Sequence, residues 1–379
     1  MRLLINTASV WKGGSVQVAT SFLQECCRFE NHAFGVVLGP GPSRSIREED
    51  FPENFRFFRL AYRPAERVVS LRRSSTDLKK IESEFKPDVV FTTSGPSYWR
   101  PRAPHLMGFN LPHHLYPDSP YFTRVLGLRQ RLRWRAKSMH IHHYTRGFAD
   151  AWVAQTDDVN ARLRRWIPSD SVYTVANTIS GAYAFALQED VPESPASTGD
   201  RKEFRLLVLS SYYPHKNLEI LNDVIAQLRE REIHDIRFTM TLPERDFERT
   251  IAQDNRAWVQ NLGPQQPEEC PRLYLESDAV FLPTLLECFS ANYVEAMAMR
   301  RPIVTTNLGF ARTVCGHAAL YFEPLDSVDA LEKILELRRD GSLKQRLVEA
   351  GRRELTRFGS ATERASAYLD ICQQLVEGK

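Results

Sequence analysis

Cysteine is scarce, with six in 379 residues, and no two of them stand in a C-x-x-C spacing. Cys26 and Cys27 are the only close pair, so zinc and thioredoxin-like readings have no support. Scattered thiols of this kind are expected to be reduced, as in a cytoplasmic enzyme. Long apolar runs are missing too: none approaches the ~20 residues of a membrane span. The opening MRLLI breaks at Asn6 and Thr7, which is too short for a signal peptide. Neither sign of charge prevails. Fifty Lys+Arg face 47 Asp+Glu, a net charge of +3, and no recognition motif accompanies the basic residues, so nucleic acid is not an expected partner. There is no G-x-G-x-x-G, no short-period repeat, and no D-x-D on a plausible strand end, so no metal and no cofactor is expected.

What remains is the composition of two packed cores, 42% hydrophobic and 26% charged. Apolar strand-like runs recur at 3–6, 34–39, 88–93, 105–110 and 150–155, with helix-like stretches such as 71–85 between them. Strand and helix in alternation imply a parallel sheet covered on both faces. A polar stretch at 186–202, rich in Pro, Ser and acids, reads as a linker. The pattern then restarts. Strands are expected at 204–211, 236–242, 278–283, 302–306 and 318–324, an amphipathic helix at 217–232, and a helical run at roughly 343–378. The reading is an α/β chain with an N-terminal Rossmann-like domain over 1–185 and a second over 203–360. A C-terminal helix over 361–379 is expected to cross back to the first domain. A cleft between two such halves is the usual place for a ligand.

The strongest local signal is PTLLECFSANYVEAMAM at 283–299. A strand ends at Pro283, a short turn follows, and a helix carries Glu295, eight residues after Glu287. Free N–H groups at the start of such a helix form an anion site, which suits a pyrophosphate. The carboxylate of Glu295 could accept two adjacent hydroxyls, as a ribose presents them, and that of Glu287 could reach a transferred sugar. Acids near a helix start also simply suit the helix dipole. The second signal is SSYYPHKNLEIL at 210–221, where Lys216 and Asn217 open a helix. A lysine there opposes the dipole unless a polyphosphate binds. Gly13 and Gly14 follow the first strand and allow close backbone approach, though a plain tight turn explains them as well. His113 and His114, in NLPHHLYPD, follow another first-half strand.

The stretch from about 204 to 325 resembles the retaining family 4 glycosyltransferases of the GT-B fold, two Rossmann-like domains facing a central cleft. The resemblance rests on PHKN, on Gly263 in NLGPQQ, and above all on the E-x7-E of Glu287 and Glu295; KGGSVQVA, DAWVAQTDDV and VANTI agree more loosely. It implies that Lys216, beside Ser211 and Asn217, meets the donor pyrophosphate. Glu287 meets the donor sugar, Glu295 holds the ribose, the backbone of Phe289, Ser290 and Ala291 cradles phosphate oxygens, and Gly13 and Gly14 let the first-half loop approach. Two departures stand out. The family's Gly-Arg before the lysine is replaced by Ser210 and Ser211, and its active-site histidine by Asn110, with His113 and His114 a few residues on.

The function so implied is retaining transfer of a sugar from a nucleotide-diphosphate sugar, GDP-mannose as the family-level guess, to a hydroxyl of a glycan or lipid-linked saccharide. Growing charge on the leaving diphosphate would be met by Lys216 and the helix amides. A sugar-nucleotide epimerase on the same fold, or a binding protein without turnover, are the alternatives. One feature lies outside this scheme. From Ser119 to Ala149 there is no acid, while Arg129, Arg131, Arg133 and Arg135 alternate around Leu128, Leu132, Trp134 and Met139. A basic amphipathic helix with Trp reads as a peripheral segment for an anionic membrane surface, against the alternative of a solvated helix packed on its own domain.

Overall fold

The computed structural model describes residues 1–11, 13–64, 68–167, 169–179, 181–187, 191–192 and 203–378, with the side chains of 68–71 left aside. Most of the expected linker at 186–202 thus lies outside the described residues. The chain divides into two compact units. One comprises residues 1–117, 127–177 and 359–379; the other comprises 118–126 and 178–358.

Unit one is built on seven parallel strands: β1 (Arg2–Asn6), β2 (Ala33–Leu38), β3 (Phe55–Arg59), β4 (Val89–Thr92), β5 (His105–Gly108), β6 (Ala151–Ala154) and β7 (Val172–Thr174). Their spatial order is β3-β2-β1-β4-β5-β6-β7. The central strands are buried along nearly their whole length, as apolar runs in a sheet covered on both faces must be. The helix Ala361–Glu377 packs here against the helix Gly14–Cys26. Tyr368 meets Phe22 edge-on at 5.4 Å, and the Arg364 guanidinium donates to Ser21 Oγ at 2.9 Å.

Unit two repeats the scheme with β8 (Phe204–Val208), β9 (Ile236–Met240), β10 (Val259–Asn261), β11 (Ala279–Leu282), β12 (Ile303–Thr306) and β13 (Ala319–Phe322), in the order β10-β9-β8-β11-β12-β13. Both orders are the doubly wound Rossmann order, in which the winding reverses between the first and fourth strands. The reversal falls between β1 and β4 in unit one, and between β8 and β11 in unit two.

Several elements differ from the pattern reading. β3, β7 and β10 carry no strong apolar run. They are edge strands of their sheets and are only partly buried. The expected helix at 217–232 forms only as Ile220–Glu230, because Asn217 takes a left-handed conformation (φ 53°) that ends a 3-10 turn at Pro214–Lys216. The tail is three helices, Ser327–Arg339, Gly341–Leu355 and Ala361–Glu377. Residues 118–126, read as part of the first domain, pack in unit two.

One buried cation ties unit two together. Arg301 is 2% exposed, and its guanidinium donates to the carbonyls of Tyr274 (2.7 Å), Pro192 (2.7 Å), Arg300 (3.1 Å) and Leu275 (3.4 Å). Arg301→Met keeps the volume and strands these acceptors. It should lower unfolding free energy by about 3 kcal/mol, since each orphaned buried polar group costs ~1–3 kcal/mol; urea titration followed by circular dichroism would measure this.

Candidate active site

In an open parallel sheet the loops leaving the two strands at the reversal part to opposite faces, and their carboxyl ends stay open to a ligand. In unit two those strands are β8 and β11, and both sequence motifs follow them. The β8 loop runs through Ser210 and Ser211 to Lys216. The β11 loop runs through Pro283 to Glu287 and into the helix Ala291–Ala298. The loops are bonded together: Leu285 N–H donates to the His215 carbonyl at 2.8 Å, and Thr284 Oγ1 approaches the same oxygen at 3.4 Å. Asn292, in the first turn of the helix, donates its side-chain amide to the Leu209 carbonyl at the end of β8. Under the β11 loop, Thr306 Oγ1 donates to the Thr284 carbonyl at 2.7 Å. Ser119, from the 118–126 segment, donates to the Leu285 carbonyl at 2.7 Å.

This lattice brings Lys216 and Glu287 into a direct ion pair, the ammonium on Oε1, with side chains 21% and 14% exposed. The two residues lie 71 apart in sequence. Asn217 is buried beside them, and its side-chain nitrogen finds no partner among the described residues. No side chain caps the start of the helix Ala291–Ala298. Ser290 stands at its N-cap without bonding to it, so the first amides point out of the turn formed by Phe289, Ser290 and Ala291 unclaimed by a cap. Gly263, in the loop after β10, has φ +71°, and nothing lies within 4 Å of where a Cβ would stand.

Glu295 sits deeper than the pattern implied. It is 8% exposed in the fifth position of its helix, and Oε2 accepts from Tyr274 OH at 2.9 Å. Burial raises its carboxyl to about 6, while hydrogen bonds from Tyr274 and Tyr183 oppose the rise. It is therefore a support of the core as well as a candidate ligand group. Tyr183 and Tyr274, which the sequence reading passed over, are its partners; their rings pack edge-on at 5.7 Å. Nothing in the local sequence marks them, since they come from two distant segments.

Other expected residues lie in unit one. Gly13 has φ +70° and begins the Gly14–Cys26 helix; a Cβ at either Gly13 or Gly14 would meet nothing within 4 Å, so that turn is open. His113 and His114, expected as catalytic, pack against the helix Leu128–Arg146. His113 stacks on Trp134 at 4.5 Å and 13°, and His114 Nδ1 bonds Ser138 Oγ at 2.7 Å. Burial, then the charge of Lys137, lowers His113 to about 4 and His114 to about 3. The pair is thus held neutral mainly by its burial. Asn110, after β5, accepts from Ser94 Oγ at 2.7 Å. Among the described residues no trio of His, Cys, Asp or Glu is placed to hold a metal ion, and no helix is long and apolar enough to cross a membrane.

Known proteins share this architecture. Sucrose-phosphate synthase from Thermosynechococcus elongatus superposes with a TM-score of 0.74 over the whole of both chains at 13% identity. HepE of Anabaena, solved with UDP and glucose, gives 0.66 over 98% of each at 14%. The fold of the two sheets is that of the GT-B glycosyltransferases. Residues 190–354 match the family Glycosyl transferases group 1, so the second unit carries a group 1 glycosyltransferase domain. In sequence the chain is similar to O-antigen chain mannosyltransferase B of Escherichia coli, 25% identical over 291 residues, 70% of this chain and 73% of that one. It is also similar to an uncharacterized glycosyltransferase of Methanocaldococcus jannaschii, 26% identical over 159 residues; the match covers 40% of this chain and 43% of that one, less than half of each.

The raised carboxyl of Glu295 has a measurable consequence. A carboxyl whose folded value lies above its unfolded value near 4.5 favours the native state when protonated. That advantage is whole below about pH 4.5 and is lost as pH rises to about 6. Relative to Glu295→Gln, which does not titrate, the wild type should lose about 2 kcal/mol between pH 4 and pH 7.5. Paired urea unfolding curves at the two pH values give the difference directly.

Proposed function

We propose that the chain is a retaining glycosyltransferase that takes a nucleotide-diphosphate sugar in unit two and passes the sugar to a hydroxyl of a glycan or lipid-linked saccharide. The observation that carries this is the Lys216–Glu287 pair at the reversal of winding, beside a helix start that no side chain caps. A diphosphate placed there would meet the lysine and the amides together. The ammonium would exchange one anionic partner for another, and Glu287, released, would accept hydroxyls of the donor sugar. As the glycosidic bond breaks, charge grows on the diphosphate, and these donors stabilise the departing group more than the bound substrate. Glu295, ionised above about pH 6, would accept the ribose hydroxyls. GDP-mannose is the donor we favour, in keeping with the mannosyltransferase relative; the UDP-bound neighbour keeps uridine nucleotides as the comparison. Transfer is expected to need no metal. No carboxylate of unit one is identified as a nucleophile, which favours front-face attack over double displacement.

We place the enzyme at the inner face of a membrane, in the cytoplasm, through the helix Leu128–Arg146. Leu128, Leu132 and Met139 are 72%, 53% and 72% exposed, and their spacing puts them in one row on the solvent side of the helix. Arg129, Arg133 and Arg135 are exposed around that row, with Arg131 half-buried. Trp134, expected among the lipid-facing residues, is turned inward onto His113 and lies under the Lys137 ammonium, so it anchors the helix to its own unit instead. An apolar row edged by cations matches an anionic lipid surface.

Transfer assays, nucleotide-sugar titrations and liposome sedimentation test these readings. Lys216→Ala should lower the transfer rate about 10²-fold, the usual loss for one donor to a developing oxyanion, and wild-type activity should persist in excess EDTA. Nucleotide-sugar affinity should fall as pH drops through about 6, because a sugar diphosphate diester keeps its charge there while Glu295 does not; loss of turnover in EDTA that magnesium restores would refute the metal-free mechanism. On liposomes, binding should require anionic lipid, weaken with salt, and fall when Arg129, Arg131, Arg133 and Arg135 become Gln, whereas equal sedimentation with neutral vesicles would refute the membrane reading.

A further inference from the structure

Three successive loops at the carboxyl edge of the first sheet converge on one side chain. Trp11 follows β1, Arg44 ends the short 3-10 turn Pro42–Arg44 after β2, and Arg63 follows β3. The guanidinium carbons lie 4.9 Å (Arg44) and 5.5 Å (Arg63) from the centre of the indole. The ring itself remains 38% exposed. Its turn is held firmly from below. A Cβ on Gly41 would stand 2.7 Å from the Val10 carbonyl and 2.8 Å from that of Trp11, and one on Gly39 would stand 2.7 Å from the Thr7 carbonyl, so the β2 loop is pressed against the β1 loop. Ser9 Oγ donates to the Pro96 carbonyl at 2.9 Å on the other side.

The charges at this place are unusual for their neighbourhood. Nearby arginines are matched with acids: Arg47 with Asp50, Arg59 with Glu48, Arg73 with Asp77. Among the described residues no carboxylate pairs with Arg44 or Arg63. Two like charges drawn to one indole repel each other, and an anion bound between them would relieve that repulsion. Guanidinium groups take carboxylate or phosphate oxygens in forked pairs, and a half-exposed indole offers an apolar face to a sugar ring. The loops after the strands of an open α/β sheet are also where such sheets take their ligands.

We infer that Trp11, Arg44 and Arg63 form a subsite for an anionic saccharide, a sugar bearing a carboxylate or a phosphate, which serves as the acceptor. The ring of the sugar lies on Trp11 and its acid group lies between the two arginines. The assignment as acceptor rests on the transferase reading above; the preference for negative charge rests on these three residues alone.

Calorimetric titration of the full-length chain tests it, with glucuronate and mannose 6-phosphate as anionic probes and mannose and inorganic phosphate as controls, all in the presence of excess GDP to fill the donor site. Both anionic sugars should bind at least about tenfold more tightly than either control, and the advantage should shrink at high salt. Arg44→Gln and Arg63→Gln should each remove about tenfold of it, Trp11→Ala should weaken both anionic sugars, and Trp11→Phe should keep most of the binding. Equal affinity for mannose and its 6-phosphate, or an anionic preference that survives the double arginine variant, would overturn the subsite. Nucleotide-sugar binding is titrated in parallel: a chain that binds the donor without discriminating charge refutes this inference alone, and one that binds anionic sugars but no nucleotide sugar refutes the transferase reading and the acceptor assignment while the anionic subsite stands.

Discussion

A parallel sheet cannot return its chain by a tight turn, so each strand must be followed by a connection that crosses one face or the other. Where successive connections change faces, two neighbouring strands send their loops apart, and the carboxyl ends between them stay uncovered. Both sheets of this chain obey that constraint with the same strand order. In unit two the uncovered ends belong to β8 and β11, and Lys216 and Glu287 stand in the loops that leave those strands. Lys216 and Glu287 meet because the topology makes neighbours of strands whose loops are 71 residues apart.

The loops of the site are held together through backbone carbonyls. The His215 carbonyl bonds the β11 loop, Asn292 reaches back to Leu209, and Thr306 supports Thr284 from below. The left-handed Asn217 ends the 3-10 turn and fixes where Lys216 points. Apart from Asn217, none of these features involves a group expected to touch substrate. They keep a cation and an anion facing each other at low exposure, where their attraction is less screened than on an open surface. The same economy governs Glu295, whose buried carboxylate accepts from two tyrosines inside the core.

Unit one is less specialised around a single point. Its turn at Gly13 and Gly14 is open, its two neighbouring histidines are absorbed in packing against the helix Leu128–Arg146, and the exposed side of that helix carries an apolar row edged with arginines. At the carboxyl edge of its sheet, Trp11 gathers two arginines that no described acid neutralises.

The sequence by itself determined the alternation of strand and helix, the division into two α/β halves, and the motifs that hold Lys216, Glu287 and Glu295, because continuous apolar runs and strand–turn–helix junctions are local signals. It left β3, β7 and β10 unread, since partly buried strands at or near a sheet edge need no such run. It placed His113, His114 and Trp134 by type alone; only packing showed that the three rings satisfy one another. The partners of Glu295, the allegiance of residues 118–126 to unit two, and the convergence of Trp11, Arg44 and Arg63 were decided by tertiary structure. Each depends on which distant segments the sheets bring side by side, and no spacing along the chain encodes that distance.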